Sequence, residues 1–422
     1  MRKVLPLALV LVFALVGCQQ RQASQPAQQV TLTIESWRND DLTVWQDTIL
    51  PAFMKKYPNI KVVFAPTAPT EYNAALNAKL EGGTGGDLIT CRPFDASLAL
   101  FNKGYLAPLN DLAGMEHFGD VARSGWITDD SQTVFCVPMA SVIHGFIYNG
   151  DVFKQLGLSE PKTEAEFLAA LDKIKQSGSV APLAIGTADQ WEAATMGFQN
   201  IGPNYWKGEE GRQALIRGEQ KFTDPQYVSV WQQLARWQPY LPSGFQAQKY
   251  PDSQNLFTLG KAAIYPAGSW EIALFRRQAQ FEMGAFTPPL PAGATDCYIS
   301  DHVDIAIGMN AKTTHPQEAR TFLEWVTGPE FAELYSNGLP GFFTLSNHKI
   351  TLQDPLAQTF INWRDKCKTT IRNSYQLLSR GEPNLENELW RVSAEVMKGA
   401  LPPAQAARQV QTGLDKWYKP KQ

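Results

Sequence analysis

Histidine is scarce in this 422-residue chain, and blocks of basic residues are missing. The five histidines stand apart, and no Cys or His lies at ligand spacing from another, so the pattern offers no metal centre. With a formal net charge of −3 and its Lys and Arg dispersed, the chain has nothing to neutralise a run of phosphates, which argues against a nucleic-acid partner. Neither G-x-S-x-G nor H-E-x-x-H occurs, and no Cys–His set has the spacing of a nucleophile and its base, so neither catalysis nor a cofactor is expected. Glycines 82, 83, 85 and 86 do cluster, yet a helical pattern precedes them and Asp87 with a strand follows, which is not the order of a phosphate loop. After residue 17 no apolar run is long enough to span a bilayer, and no internal repeat is visible.

What is present begins at the N-terminus. Arg2 and Lys3 precede an apolar stretch from Val4 to Gly17, too short for a permanent span and read as a signal peptide over residues 1–17. It ends Leu15-Val16-Gly17-Cys18, which matches the bacterial lipobox with Cys18 as the lipidated first residue. The protein is therefore expected outside the cytoplasm, in the periplasm or at the cell surface, held by an N-terminal lipid. Residues 18–29, ending QQRQASQPAQQ, have little that could join a core and read as a flexible tether, with the folded part starting near Val30. The other four cysteines, Cys91, Cys136, Cys297 and Cys367, are an even number in an oxidising compartment; two disulfides are expected, and three pairings are open.

Along the chain, strand patterns alternate with helical ones. VTLTIESW (30–37) and IKVVFAP (60–66) are β-rich, while Thr43 to Tyr57 carries helical spacing. A helix opens near Thr70 with Tyr72, Ala75, Leu76 and Leu80 on one face, and a third strand covers Leu88 to Cys91. This alternation predicts an α/β protein with a mainly parallel sheet. Residues 134–153 read as two apolar runs broken at Pro138, suited to a chain leaving one sheet for another. Thr163 and Glu166 form a capping box for a helix over 162–176, a further helix covers roughly 224–238, Pro316 opens another, and the tail from Leu385 to Trp417 is helical with a break at 399–403.

In order and spacing, several stretches resemble those of the extracytoplasmic solute-binding proteins of ATP-driven (ABC) importers, in the sugar-binding group that includes maltose-binding protein. They are the opening strand with Trp37, EYNAALNAKLEGGTGGDLIT (71–90), VPMASVIHGFIYN (137–149), LFTLGKAAIYPAGSW (256–270), AIGMNAKTTHPQEARTFLEWV (306–326) and GLPGF (338–342). The resemblance implies a two-lobed, hinge-joined α/β fold of the type II periplasmic-binding kind. Lobe one would take residues 30–140 and 299–342, and lobe two 141–298 and 343–422. Within that division Cys91 with Cys136 is the preferred pair, since both fall in lobe one. The resemblance further implies a monomer that captures a sugar, oligosaccharide or polyol in its cleft and delivers it to the transmembrane subunits of an ABC permease.

A sugar offers hydroxyls that donate and accept, and ring faces that suit flat aromatics. Among strand-end residues, Trp37 and Asp40 are the candidates after the first strand, with Arg38 and Asp41 equally read as a solvated loop. The family's pattern adds Glu71, which also reads as a first-turn acid serving the helix dipole, and Asp95, with Arg92 as a nearby competitor. In lobe two it implies Trp191, Trp270 and Trp390, although a Trp by itself is more often core. Asp301 and His302 fall near the hinge, and Phe342 at a second turn. IYPAGSWE (264–271) is read as a strand end at Tyr265, a turn over 266–269, a ring presented to ligand, and then Glu271 as a solvated acid or a second polar contact. A glycosidase also combines carboxylates with exposed Trp, but no paired arrangement is visible. A peptide, polyamine or anion receptor is the other alternative; acids and Trp in the cleft would favour a neutral or cationic ligand.

Overall fold

The computed structural model describes residues 29–420. The expected signal peptide, Cys18 and all but the last residue of the expected tether lie outside the described residues.

Strand β1 (Val30–Ser36) buries Leu32 and Ile34, and β2 (Ile60–Pro66) buries Ile60, Val62 and Phe64 while Lys61 and Val63 face out. That alternation is the signature of a strand with one covered face. The two pair in parallel from Val30 opposite Ile60 to Ser36 opposite Pro66, and β3 (Leu88–Cys91) lies parallel on the other side of β1.

Two long strands then carry the architecture. The later half of β8 (Tyr298–Met309) runs antiparallel to β3, and β4 (Val137–Asn149) runs antiparallel to β8 from Val137 opposite Ile307 to Ile143 opposite Asp301. Beyond Ile143, β4 changes neighbours: His144 to Tyr148 pair with β6 (Ala262–Gly268), and Phe146 to Asn149 pair with β7 (Met283–Phe286). Strand β5 (Ala181–Leu183) adds parallel to β6. Two short strands complete the set: β9 (Phe343–Thr344) pairs β4, and β10 (Lys368–Thr370) pairs the start of β8. The outcome is a two-lobed α/β fold whose sheets share β4.

Two sequence expectations change here. The sheet is mixed rather than mainly parallel, because β4 and β8 run in opposite directions through its centre. Residues 137–149 form one strand, not two runs; Pro138 falls at a register irregularity, where a residue without an N–H costs no ladder bond. The expected passage from one sheet to another is made by that single strand.

The helices follow their signals. Thr163 Oγ1 accepts from Glu166 N while the Glu166 carboxylate accepts from Thr163 N, which starts the helix Glu164–Ser177. The helix Pro225–Trp237 falls in its expected range, Pro316–Val326 opens at the expected proline, and Leu385–Met397 and Pro403–Asp415 flank the expected break. Cys91 is bonded to Cys136 and Cys297 to Cys367, so one bridge joins the end of β3 to the approach of β4, and the other joins the residues just before β8 and β10.

Candidate functional site

Between the two sheets lies a cavity of about 870 Å³, within the range of ligand sites. The first sheet contributes Trp37 and Arg38 after β1, Asn73 in the first turn of the helix Tyr72–Glu81, Arg92 and Asp95 after β3, and Asp304 from within β8. From the other side come Asp189 and Trp191 after β5, Tyr250 at the head of the helix Tyr250–Thr258, Trp270 after β6, Arg372 and Tyr375 after β10, and Glu386 and Trp390 on the helix Leu385–Met397.

Of the sequence candidates, Trp37, Asp95, Trp191, Trp270 and Trp390 border this cavity. The other five do not. Phe342 is fully buried, with the Arg38 guanidinium 5.0 Å above its ring. His302 is buried, its Nε2 3.2 Å from Nε2 of His144 on β4, and burial with the nearby Arg372 charge keeps both imidazoles neutral by pulling their pKa well down. Asp301 is held by both arms of Arg364, at 2.7 and 2.8 Å. Glu71 is exposed at the N-cap, just ahead of the first turn where the sequence put it, and makes no capping bond, which leaves it only a charge near the helix N-terminus. Asp40 meets two helices of the opposite side instead of the cavity: its carboxylate is 3.4 Å from Nε2 of Gln254 on Tyr250–Thr258, and its carbonyl accepts from Arg277 on Ile272–Gln278 at 2.7 Å.

Arginines are what the sequence reading undervalued. Four of them (38, 92, 372, 380) line the cavity beside five acids (95, 129, 189, 304, 386), so the lining is nearly balanced and the case for a cationic ligand falls. Arg38 is not in a solvated loop; it makes a buried two-armed pair with Asp41 at 2.7 and 2.8 Å. Arg92 lies 4.6 Å over the Trp37 ring and donates to Asn73 Oδ1 and the Pro69 carbonyl. Burial pulls its pKa down, against the fields of Glu386 and Asp304. Asp304 and Glu386 are in turn pushed up by burial, against the pull of Arg372 and Arg92. Arg372 is loosely held: its nearest carboxylate, Glu386, is 3.9 Å away, and among the described residues its buried Nε has no hydrogen-bond partner. Donors and acceptors thus meet at this end of the cavity without saturating each other. Asp304 had left a signal, as an acid flanked by Val303 and Ile305 within a strand; Arg372, on irregular chain after a three-residue strand, had left none.

Asp95 lines the cavity with its carboxylate already engaged. Arg380 donates to Asp95 at 2.6 Å and to both oxygens of Asp129 at 2.8 and 2.9 Å, so the C-terminal segment straps across to the other sheet.

Around Trp270 the expected turn is not seen. β6 continues through Pro266 to Gly268; β5 pairs only as far as Ile264, so Pro266 has no neighbour on that side. The indole folds back over Gly268, where an added Cβ would come 1.9 Å from the ring, and only 7% of Trp270 is exposed. Ser269 bonds Ile143 N and the Gly341 carbonyl, and Gly341, at φ +101°, touches the Ser269 carbonyl where a side chain could not. Glu271 is neither a solvated acid nor a ligand contact. It is fully buried behind Trp270 and accepts from Tyr250 Oη at 2.7 Å, Gln254 Nε2 at 2.9 Å and Trp270 Nε1 at 3.2 Å.

Comparison with known proteins agrees with this architecture. The multiple sugar-binding protein of Streptococcus mutans is 23% identical over 333 residues, covering 76% of this chain and 77% of its own. A solved chitin oligosaccharide binding protein superposes with a TM-score of 0.78 at 19% identity, over 92% of this chain and 98% of that one. RafE in complex with raffinose gives 0.76 at 21% identity, over 92% and 99%. Residues 38–333 match the family described as bacterial extracellular solute-binding protein, and the chain belongs to that family.

Proposed function

We propose that this protein captures a sugar or oligosaccharide in the cavity between its lobes and delivers it to the transmembrane subunits of an ABC importer. One observation carries the reading: four tryptophans border a single cavity together with hydroxyl-matching donors and acceptors from both sheets. The name of the Streptococcus mutans relative and the raffinose in RafE support it. Lobe one is assigned residues 30–140 with 299–342 and lobe two the remainder of the folded chain, the hinge falling where β4 changes sheets. The working site is Trp37, Arg92, Trp191, Trp270, Asp304, Arg372 and Trp390. The protein acts as a monomer, by binding without turnover.

Calorimetric titration with mono-, di- and oligosaccharides and polyols tests the reading, with a polyamine and a peptide as controls. Binding of a control with no response to any saccharide would sink it, and release of monosaccharide from a bound oligosaccharide would overturn the absence of turnover. A second reading, a saccharide bearing a carboxylate, is favoured by the loosely paired Arg372; it predicts uronate-containing oligomers as the best binders. The family places the protein outside the cytoplasm, and the Leu15–Cys18 motif supports a lipid anchor there. Fatty-acid labelling that survives Cys18→Ser would refute the anchor.

A further inference from the structure

Glu271 sits where two structural requirements meet. Its Oε1 takes Tyr250 Oη, Trp270 Nε1 and, at 3.4 Å, Tyr265 Oη, and its Oε2 takes Gln254 Nε2. The same Gln254 nitrogen reaches Asp40, which follows β1 in the other lobe, and Arg277 reaches the Asp40 carbonyl. An unbroken chain of polar contacts therefore runs from the ring that borders the cavity to the seam between the lobes.

We infer that Glu271 is a positioning residue: it pins the edge of the Trp270 indole and, through Gln254, ties that ring to Asp40, so that seating a sugar and closing the lobes are coupled. The inference rests on the sugar-capture reading for its ligand but not for its geometry.

The protonation state of Glu271 sets the strength of this coupling. All four neighbours can donate to it, and an ionised carboxylate accepts from all of them, whereas a protonated one gives up an accepting position. Burial raises its pKa to about 7, against the stabilising bonds from Gln254 and Tyr250. The charged and titratable groups around it are Tyr265 from β6, Tyr250 from the helix Tyr250–Thr258, Glu192 from the segment after β5, and Arg38 and Asp40 from the loop after β1. Asp40 pushes the value up and Arg38 pulls it down. Rising pH therefore strengthens the hold on Trp270.

The test starts without ligand. Tryptophan emission of the wild type, Trp270→Phe, Glu271→Gln and Asp40→Asn is followed from pH 5.5 to 8.5. The wild type is expected to titrate near pH 7, Glu271→Gln and Trp270→Phe to lose that transition, and Asp40→Asn to move its midpoint to lower pH. A wild type with no transition, a transition that survives in Glu271→Gln, or an unmoved midpoint in Asp40→Asn overturns the inference. Should circular dichroism show Glu271→Gln unfolded, the other two variants decide. A calorimetric arm with raffinose and stachyose at pH 6 and pH 8 then reads the coupling: binding roughly fivefold or more tighter at pH 8 in the wild type, and equal at both in Glu271→Gln. Binding that is equal at both pH values in the wild type refutes the coupling. Failure of every saccharide to bind removes the sugar reading, and the coupling to sugar with it, whereas a flat ligand-free titration overturns the positioning role even if sugars bind.

Discussion

Trp270 borders the cavity on one side while its edge and most of its surface are held inside the second lobe. Trp270→Ala should therefore abolish measurable sugar affinity and also cost about 3–5 kcal/mol of stability, the usual range for a buried aromatic. Urea denaturation checks this, and an unchanged midpoint would return the ring to the exposed platform that the sequence suggested. Glu271 adds a pH dependence of opposite sign to its effect on binding. Its pKa is about 7 in the fold against an ordinary 4.5, so the folded state holds the extra proton between those values. The stabilisation is fully present below pH 4.5 and is lost as pH rises through 7, amounting to about 3 kcal/mol. Comparing unfolding free energies at pH 5 and pH 8 in the wild type and Glu271→Gln isolates it; identical pH slopes would refute it. Tightest sugar binding and greatest stability thus fall at different pH values.

At the scale of elements, amphipathic helices and β-rich runs were readable because each carries its own local signal: Thr163 with Glu166, and Pro316 at the start of its helix, appear as expected. The continuity of β4 through Pro138, and of β6 through Pro266, was not. Whether a proline breaks a strand depends on whether a neighbouring strand needs its N–H, and that is set by pairing far away in sequence. The strap formed by Arg380 is equally non-local, spanning 285 residues to reach Asp95. Because the pair is partly exposed, Arg380→Ala should change stability by less than about 1 kcal/mol, yet speed sugar release several-fold in stopped-flow fluorescence. An unchanged release rate would make the strap a surface pair only. Reduction of the disulfides should matter more: bridges closing 45 and 70 residues stabilise by about 4 kcal/mol each in the chain-entropy view. A melting temperature unaffected by reductant would contradict that.

For the whole molecule, β4 pairs first with β8 and then with β6, which makes it the proposed pivot between the lobes, and polar groups from both sides face one cavity. A sugar that binds both lobes at once should shift the population toward the closed form, seen as a smaller radius of gyration by small-angle scattering. At a hundredfold excess over Kd it should add about 2.7 kcal/mol of stability. A bound sugar that leaves the radius unchanged would indicate a lobe arrangement already closed without it.

The sequence by itself determined what is local or cumulative: the α/β class, most helix boundaries, and a family pattern spread over the whole folded chain. Trp37 was legible as a strand-end residue, whereas Trp191, Trp270 and Trp390 came only from the family pattern; all four border the cavity. The tertiary structure alone decided which polar groups share the cavity, because that depends on two sheets meeting through β4 and β8. Arg92 and Asp304 face Arg372 and Glu386 only across that junction. It also moved Phe342, His302 and Asp301 out of the site and put Glu271 behind the ring it neighbours in sequence. Burial and pairing are properties of the packed lobes, and no short stretch of chain carries them.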